Sequence, residues 1–543
     1  MGTESVIVIG SGFGGAVAAC RLAETGRHRV TVLERGRRYG RGDFPSAPGE
    51  LASALWDPAR GRRGALEHRR LGGAGVSTFT ASGLGGGSLL YSGVLHPVPA
   101  AFFRGWPGGL GRDVLEPHYR RVLAMLEARP FPLDEPGSPY ARTPKARLLE
   151  QAAERLGRNA AGGPAVSWER PPLGLTFGPR PGEERVNRHG ARQSACTGCG
   201  RCNLGCNEHA KNSLDLNYLR RAAEHGAELR TGAEVDRIAP RSGGGYLVRY
   251  GEPGGGGERV ELACDRVILA AGSLGSTELL LRQRRLGSLA NLSPALGRRW
   301  SPNGDLLALC LLGDQTAEPT VGPVITGSIR FQQGDHPDGF PHGLYVQDGG
   351  LPEFLGWYLA ARTRRLVPLR ERWRGLLQSL GSRLLGTRER SLVGAVGESV
   401  DAGAQIVRRA LPLLGMGRDR STGELSLGGR GPGRLRLAWS ARASRLHFER
   451  TREALARVAE ALGARAVVEN PLSLLGRHVT VHPLGGCGLA DAAAEGVVSA
   501  RTAEVFGHPG LHVLDGSILP TSVGPNPSLT IAALAEHFVE PLT

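Results

Sequence analysis

The chain has 543 residues, 40% of them hydrophobic, which is enough for several average domains or two large interleaved ones. Its formal charge is +16, yet lysine occurs only at Lys145 and Lys211. The excess is arginine scattered without the aromatic interleaving that stacks bases, so nucleic acid is not expected as a partner.

VIVIG leads straight into a glycine motif rather than a secretory leader, and no run approaches the roughly 18 apolar residues of a membrane span. The expectation is a soluble, cytoplasmic protein. The first unit reads strand SVIVIG, glycine turn and helix SGFGGAVAACRLAETG, then strand HRVTVLERG. Gly10, Gly12 and Gly15, with Phe13 and Gly14 between them, form a G-x-G-x-x-G turn, and Glu34 ends the second strand about twenty residues on. Glycines there permit a tight turn and close approach to a pyrophosphate resting on the helix N-terminus, and the acidic residue holds a ribose hydroxyl.

A second glycine cluster, ASGLGGGSLLYSG, suits backbone lying against a flat cofactor. The Pro- and Arg-rich stretch from 96 to 185 reads as a different unit. Regular patterning returns with helical NSLDLNYLRRAAEHG, the strand pair AELRTGAEVDRIAP and the hairpin YLVRYGEPGGGGERVELA. DRVILAAGSLGSTELLLR then reads as a buried strand, a small-residue turn and a helix. Between 301 and 477, Leu366, Leu369, Trp373, Leu376, Leu380 and Leu384 make an apolar stripe at helical spacing, starting near Pro368 and surrounded by arginines. It reads as an ordinary packed helix with a solvated basic face; a substrate lid or a membrane-surface helix is the sharper alternative.

The last stretch runs VHPLGGC, LHVLDGS and PTSVGPNPSLTIAALAEH. It places His482 after a strand-like run, Asp515 and Gly516 after another strand, and Asn526 at the mouth of a terminal helix. Asn526 is expected to cap that helix with Pro527 at its first position, leaving a positive helix end facing an anion. Cys196, Cys199, Cys202 and Cys206 have the C-x2-C-x2-C-x3-C spacing of bacterial ferredoxins, with Asn207 where a proline normally follows. They are candidate ligands of an iron–sulfur cluster; reduced cysteines packing a loop are the plain alternative.

These motifs together resemble the glucose-methanol-choline (GMC) oxidoreductases, within them the cholesterol-oxidase-like branch. The resemblance rests on VIVIGSGFGGAVAACRLAE, GLGGGSLLYSGVL, VILAAGSLGSTELLLR with the following GRRWSPNGD, and HPLGGC through SVGPNPSLTIAALAEH. It departs at Ser82 and Tyr91, where the family usually has a basic or Asn residue and an Asn or His. It implies an α/β fold: a Rossmann-type FAD-binding domain of the glutathione-reductase kind, interleaved with an α+β substrate domain built on a β-sheet. The FAD pieces are expected at 1–95, 186–300 and 478–543, and the substrate pieces at 96–185 and 301–477.

The resemblance also assigns roles. FAD contacts fall at Gly10, Gly12, Phe13, Gly14, Gly15, Glu34, Gly85, Gly86, Gly87, Ser88, Val235, Gly272, Asp515, Gly516, Asn526 and Pro527. His482 takes the hydroxyl proton of a secondary alcohol on a bulky, apolar, sterol- or polyketide-like substrate while hydride passes to flavin N5, and Asn526 bonds the substrate oxygen. Glu353 is the candidate for the glutamate that some cholesterol oxidases use to shift a double bond. Electrons leave to oxygen or, through a cluster at the four cysteines, to a redox protein. A flavin electron carrier without alcohol chemistry is the reading from another class.

Overall fold

The computed structural model describes residues 3–158, 165–356, 404–429, 433–469 and 478–543. The predicted helix carrying Leu366 to Leu384 lies outside the described residues. In chain order the framing elements begin with β1 (Glu4–Ile9), α1 (Phe13–Glu24), β2 (His28–Glu34), α2 (Arg112–Met125), α3 (Pro144–Arg158) and β3 (Val166–Glu169). Next come β4 (Glu228–Thr231), β5 (Arg266–Leu269), α4 (Gly272–Leu286), β6 (Leu306–Leu312), β7 (Ser328–Phe331) and β8 (Leu344–Asp348). The last are β9 (Ala410–Gly417), α5 (Arg445–Ala461), β10 (Ala464–Glu469), β11 (Leu511–Val513) and α6 (Ser528–Val539).

Two sheets organise the chain. The first is wholly parallel, in the order β4-β2-β1-β5-β11, so strands from three distant segments share one dinucleotide-type sheet. Val6, Ile7, Val8 and Ile9 are all buried, as a central parallel strand covered on both faces requires. The predicted hairpin of Tyr246–Gly251 and Val260–Cys264 forms, and Glu234–Pro240 joins it in a separate antiparallel unit; the expected strand pair does not form, because β4 joins β2 in the parallel sheet instead. NSLDLNYLRRAAEHG is less regular than its pattern suggests. A 3-10 turn at Leu214–Leu216 breaks at Asn217, whose side chain caps the short helix Tyr218–Glu224.

The second sheet is antiparallel, in the order β10-β6-β9-β8-β7-β3. Its alternation is clean on β8: Leu344 and Val346 join the core under α3 and α5, while Tyr345 joins the large core shared with the parallel sheet. Helix α2, inside the 96–185 stretch, packs on α6 rather than on this sheet; Leu115, Tyr119 and Val122 lie in the large core, and the Tyr119 hydroxyl reaches Thr530. The second sheet meets the C-terminal segment where Gln347 on β8 donates to Asn526.

Candidate active site

The glycine turn expected to hold the cofactor packs closely on its neighbours. A Cβ on Gly14 would stand 1.6 Å from the Leu514 carbonyl oxygen, and one on Gly10 (φ +94°) 2.4 Å from that of Ala270, so α1 touches the backbone that follows β5 and β11. A Cβ on Gly12, by contrast, meets nothing within 4 Å, and Gly12 begins α1 with no side-chain cap. Free first-turn amides facing open space suit a pyrophosphate. Glu34 is 5% exposed; its carboxylate accepts from Ser11 Oγ at 2.6 Å and from the Gly36 N–H at 2.8 Å.

The second glycine cluster lies on the first, since a Cβ on Gly86 would be 2.7 Å from Gly12 Cα. Ser88 Oγ donates to the Gly85 carbonyl and Phe13 meets Tyr91 edge-on, while the buried Ser82 Oγ has no hydrogen-bond partner among the described residues. Ala233, two residues before Val235, donates to the Glu34 carbonyl. Asp515 spends both carboxylate oxygens inside the protein, accepting from the Gly272 N–H, Ser276 Oγ and the Ser517 N–H, and so tethers the start of α4. The Gly516 carbonyl accepts from Gly485, which joins this turn to the HPLGG segment. An open glycine, an uncapped helix start and a buried acid at the end of β2 together fit FAD.

The structure brings His482 and Asn526 under the control of one turn, residues 301–305. Asp305 is 1% exposed and its Oδ1 lies 2.8 Å from His482 Nδ1; its Oδ2 accepts from Thr480 Oγ1 at 2.8 Å and from the Val481 N–H at 2.9 Å. A carboxylate facing Nδ1 keeps the proton of the neutral ring there and leaves Nε2 as the acceptor. Ser301 and Leu484 exchange backbone hydrogen bonds, which fixes the chain just after His482. Asn303, at φ +53°, accepts from the Val523 and Gly524 N–H groups and donates to the Gly524 and Pro525 carbonyls. One side chain therefore holds the whole approach to Asn526.

Asn526 does not cap the terminal helix. Helix α6 starts at Ser528 with Pro527 as its cap residue and no side-chain cap bond. The Asn526 Oδ1 is taken instead by Gln347 Nε2 at 2.8 Å, a tertiary partner on β8. The positive helix end expected there is consequently open.

Behind the turn, Asp419 is fully buried and its Oδ1 accepts from Ser301 Oγ at 2.6 Å. Burial, opposed by that hydrogen bond and aided by the charge on Asp305, pushes Asp419 up to about 7. Arg418, between the rings of Phe102 and Phe340, donates to the Ser522 carbonyl and steadies the same loop.

Asn303, Asp305 and Gln347 carry no role in the sequence reading. The first two stood inside the quoted GRRWSPNGD stretch, the only signal that could have found them. Glu353 is exposed, at the first of the helical residues 353–356.

The four cysteines share one loop, two of them buried and two partly exposed. Among the described residues no group of three or more His, Cys, Asp or Glu side chains converges to hold a metal ion. Burial pushes the Cys196 thiol well up, raises Cys202, and brings Cys206 to about 11. Cys196 and Cys202 pack in a small apolar core with Phe131, Leu133 and Phe177. Lys211 ties the loop to the glycine cluster by donating to the carbonyls of Leu89, Tyr91 and Cys202, and Gly198 and Gly200 pair with Gly322.

A dinucleotide cradle, with a His–carboxylate pair and an amide at its edge and an antiparallel sheet across from it, defines a two-part flavin-type oxidoreductase. The fold is similar to pyridoxine 4-oxidase from Mesorbium loti, with a TM-score of 0.60 at 19% identity over 99% of both chains. GMC oxidoreductase profiles match residues 185–299 and 419–535, and an NAD(P)-binding Rossmann-like domain profile matches 8–49. Over 556 residues the chain is 30% identical to a cholesterol oxidase of Mycobacterium tuberculosis (strain ATCC 25618 / H37Rv), covering 98% of this chain and 90% of that one. It is 28% identical to a cholesterol oxidase of Acinetobacter baumannii, covering 98% and 93%.

The chain belongs to the GMC oxidoreductase family. It is an FAD-dependent oxidoreductase acting on CH–OH donors. No helix among the described residues is long and apolar enough to cross a membrane.

Proposed function

We propose that the enzyme oxidises a secondary alcohol on a bulky, apolar, sterol- or polyketide-like molecule to the ketone, with His482 as the proton acceptor. The observation that carries this reading is the 301–305 turn, which orients His482 through Asp305 and seats Asn526 through Asn303. His482 Nε2 receives the hydroxyl proton, and buried Asp305 stabilises the imidazolium that results. Asn526 Nδ2, which has no hydrogen-bond partner among the described residues, donates to the alcohol oxygen as negative charge grows there. FAD, when bound, supplies the hydride acceptor.

The first glycine turn and the start of α1 would hold its pyrophosphate and Glu34 its ribose, and the open end of α6 would face its anionic locus. The cofactor unit combines the pieces 1–95, 186–300 and 478–543, and the alcohol binds between it and the antiparallel sheet. Similarity to two cholesterol oxidases supports the substrate class. Oxygen or a redox protein takes the electrons.

The test is anaerobic bleaching of the flavin bands by a panel of cholesterol, a macrolide alcohol and a straight-chain primary alcohol. Bleaching by the bulky secondary alcohols is expected; none by any alcohol would overturn the reading in favour of an electron carrier. His482→Ala should keep its FAD while turnover drops about 10²–10⁴-fold, and an unchanged rate would remove His482 from the role.

A further inference from the structure

On β8, Gln347 lies on the same face as Tyr345, away from α3 and α5. It is fully buried; its Nε2 donates to Asn526 Oδ1, and its Oε1 has no hydrogen-bond partner among the described residues. Ser328 stands directly opposite Gln347 on β7, which brings the two side chains within about 5 Å at Cβ. The Ser328 Oγ and the Tyr345 hydroxyl are also buried without a partner among the described residues. Three unfilled polar groups therefore share the sheet face that meets Asn526.

The carboxylate next along this row is already committed. Glu169 stands opposite Ser328 on β3, 2.8 Å from His96 Nε2 and 3.5 Å from Arg330. Against the effect of burial, His96 and Arg330 hold it below its ordinary range, so it stays charged and bound to them.

We infer that Gln347 is the positioning residue of the alcohol site: it locks the Asn526 amide with its donor end toward the substrate, and its own Oε1, with Ser328 Oγ and Tyr345 OH, makes an uncharged polar floor for the hydroxyl-bearing end. This rests on the reading of Asn526 given above. A side-chain amide has one donor end and one acceptor end. With Oδ1 satisfied by Gln347, Nδ2 is the end left for the alcohol oxygen. A donor stabilises that oxygen as its proton leaves, whereas an acceptor would repel it. A carboxylate at position 347 would draw in Nδ2 and turn Oδ1 toward the substrate.

The experiment compares Gln347→Glu, Gln347→Met and Asn526→Ala with the wild type, using whichever alcohol of the panel bleaches the flavin fastest. Flavin content and melting temperature establish that each is folded, and anaerobic flavin reduction is followed over about pH 4–8, where carboxyls and imidazoles titrate. In Gln347→Glu, reduction should slow as pH rises, opposite to the wild type, by about 10²–10³-fold at the alkaline end. It should recover at the acidic end, where the introduced carboxyl carries a proton and can donate as the amide did.

Gln347→Met, with no donor, should slow kcat about tenfold at every pH while keeping the wild-type profile. A Gln347→Glu profile parallel to the wild type, or wild-type rates in flavin-loaded Gln347→Met, would overturn the inference. If Gln347→Glu does not retain flavin, Gln347→Met decides alone. Unchanged turnover in Asn526→Ala would instead remove the reading beneath it. A slow Asn526→Ala beside normal Gln347 variants would sink only the role of Gln347.

Discussion

Ser11 and Glu34, which meet beneath the first glycine turn, are 23 residues apart in the chain; His482 and Asp305 are 177 apart, and Asn526 and Gln347 are 179 apart. The first glycine turn and its acidic partner lie close together in the chain, although α1 itself is closed against the Leu514 backbone from the far end of it. The edge that carries His482 and Asn526 is assembled from segments far apart in the chain, and side chains supply its hydrogen bonds. The cradle should therefore fail through sterics, abruptly. The edge should fail through misorientation, by degrees.

The largest effect expected is on the cradle side. Gly14→Val would drive a side chain into the Leu514 carbonyl, 1.6 Å from the first added carbon, where backbone cannot give way. Little or no FAD-loaded protein should be recovered, as read by flavin absorbance after purification. Normal flavin content would break the claim that α1 is wedged against this strand end.

Next is Asp305→Asn, which keeps the shape and removes the charge beside His482 Nδ1. Losing a charge-assisted hydrogen bond of about 1.5–3 kcal/mol should lower kcat/KM roughly 10–100-fold with FAD still bound. A wild-type value would show that the imidazole is oriented by other means.

A smaller change is expected for Glu34→Gln. The carboxylate that accepts from Ser11 and Gly36 becomes a neutral amide, and apoprotein titrated with FAD should show roughly tenfold weaker binding. Equal affinity would separate Glu34 from the cofactor.

The smallest effect concerns stability near Asp419. Its folded value of about 7 lies above the ordinary 3.8, so the folded chain binds this proton more tightly than the unfolded one. Its contribution is fully present below about pH 4 and is lost as pH rises toward 7. Asp419→Asn, which cannot ionise, should flatten that part of the melting-temperature profile; an unaltered slope would exclude Asp419 as its source.

The same contrast explains what could be read in the sequence. Gly10 to Gly15 and Glu34 were legible because strand, turn, helix and acidic partner follow one another at fixed spacing. His482 and Asn526 were legible through the HPLGG and GPNPS stretches, but their partners were not. Nothing local to Asn303 or Asp305 says which loop each will hold, and Gln347 looks like any polar residue in a buried strand. Asn526 was read as a helix cap because local rules favour that use, and Gln347 took its oxygen instead. The cysteine run shows the opposite case: its spacing suits a cluster, while in the fold two of the thiols pack in a small apolar core beside Phe131 and Phe177.

By itself the sequence determined the α/β class, the family and the glycine turn with its acidic partner, because each is written in runs of neighbouring residues. The tertiary structure alone decided that one turn, 301–305, holds the segments of both His482 and Asn526, and that Gln347 on β8 meets Asn526. Those choices depend on strand order and register, which bring together residues nearly two hundred positions apart; no local period records them.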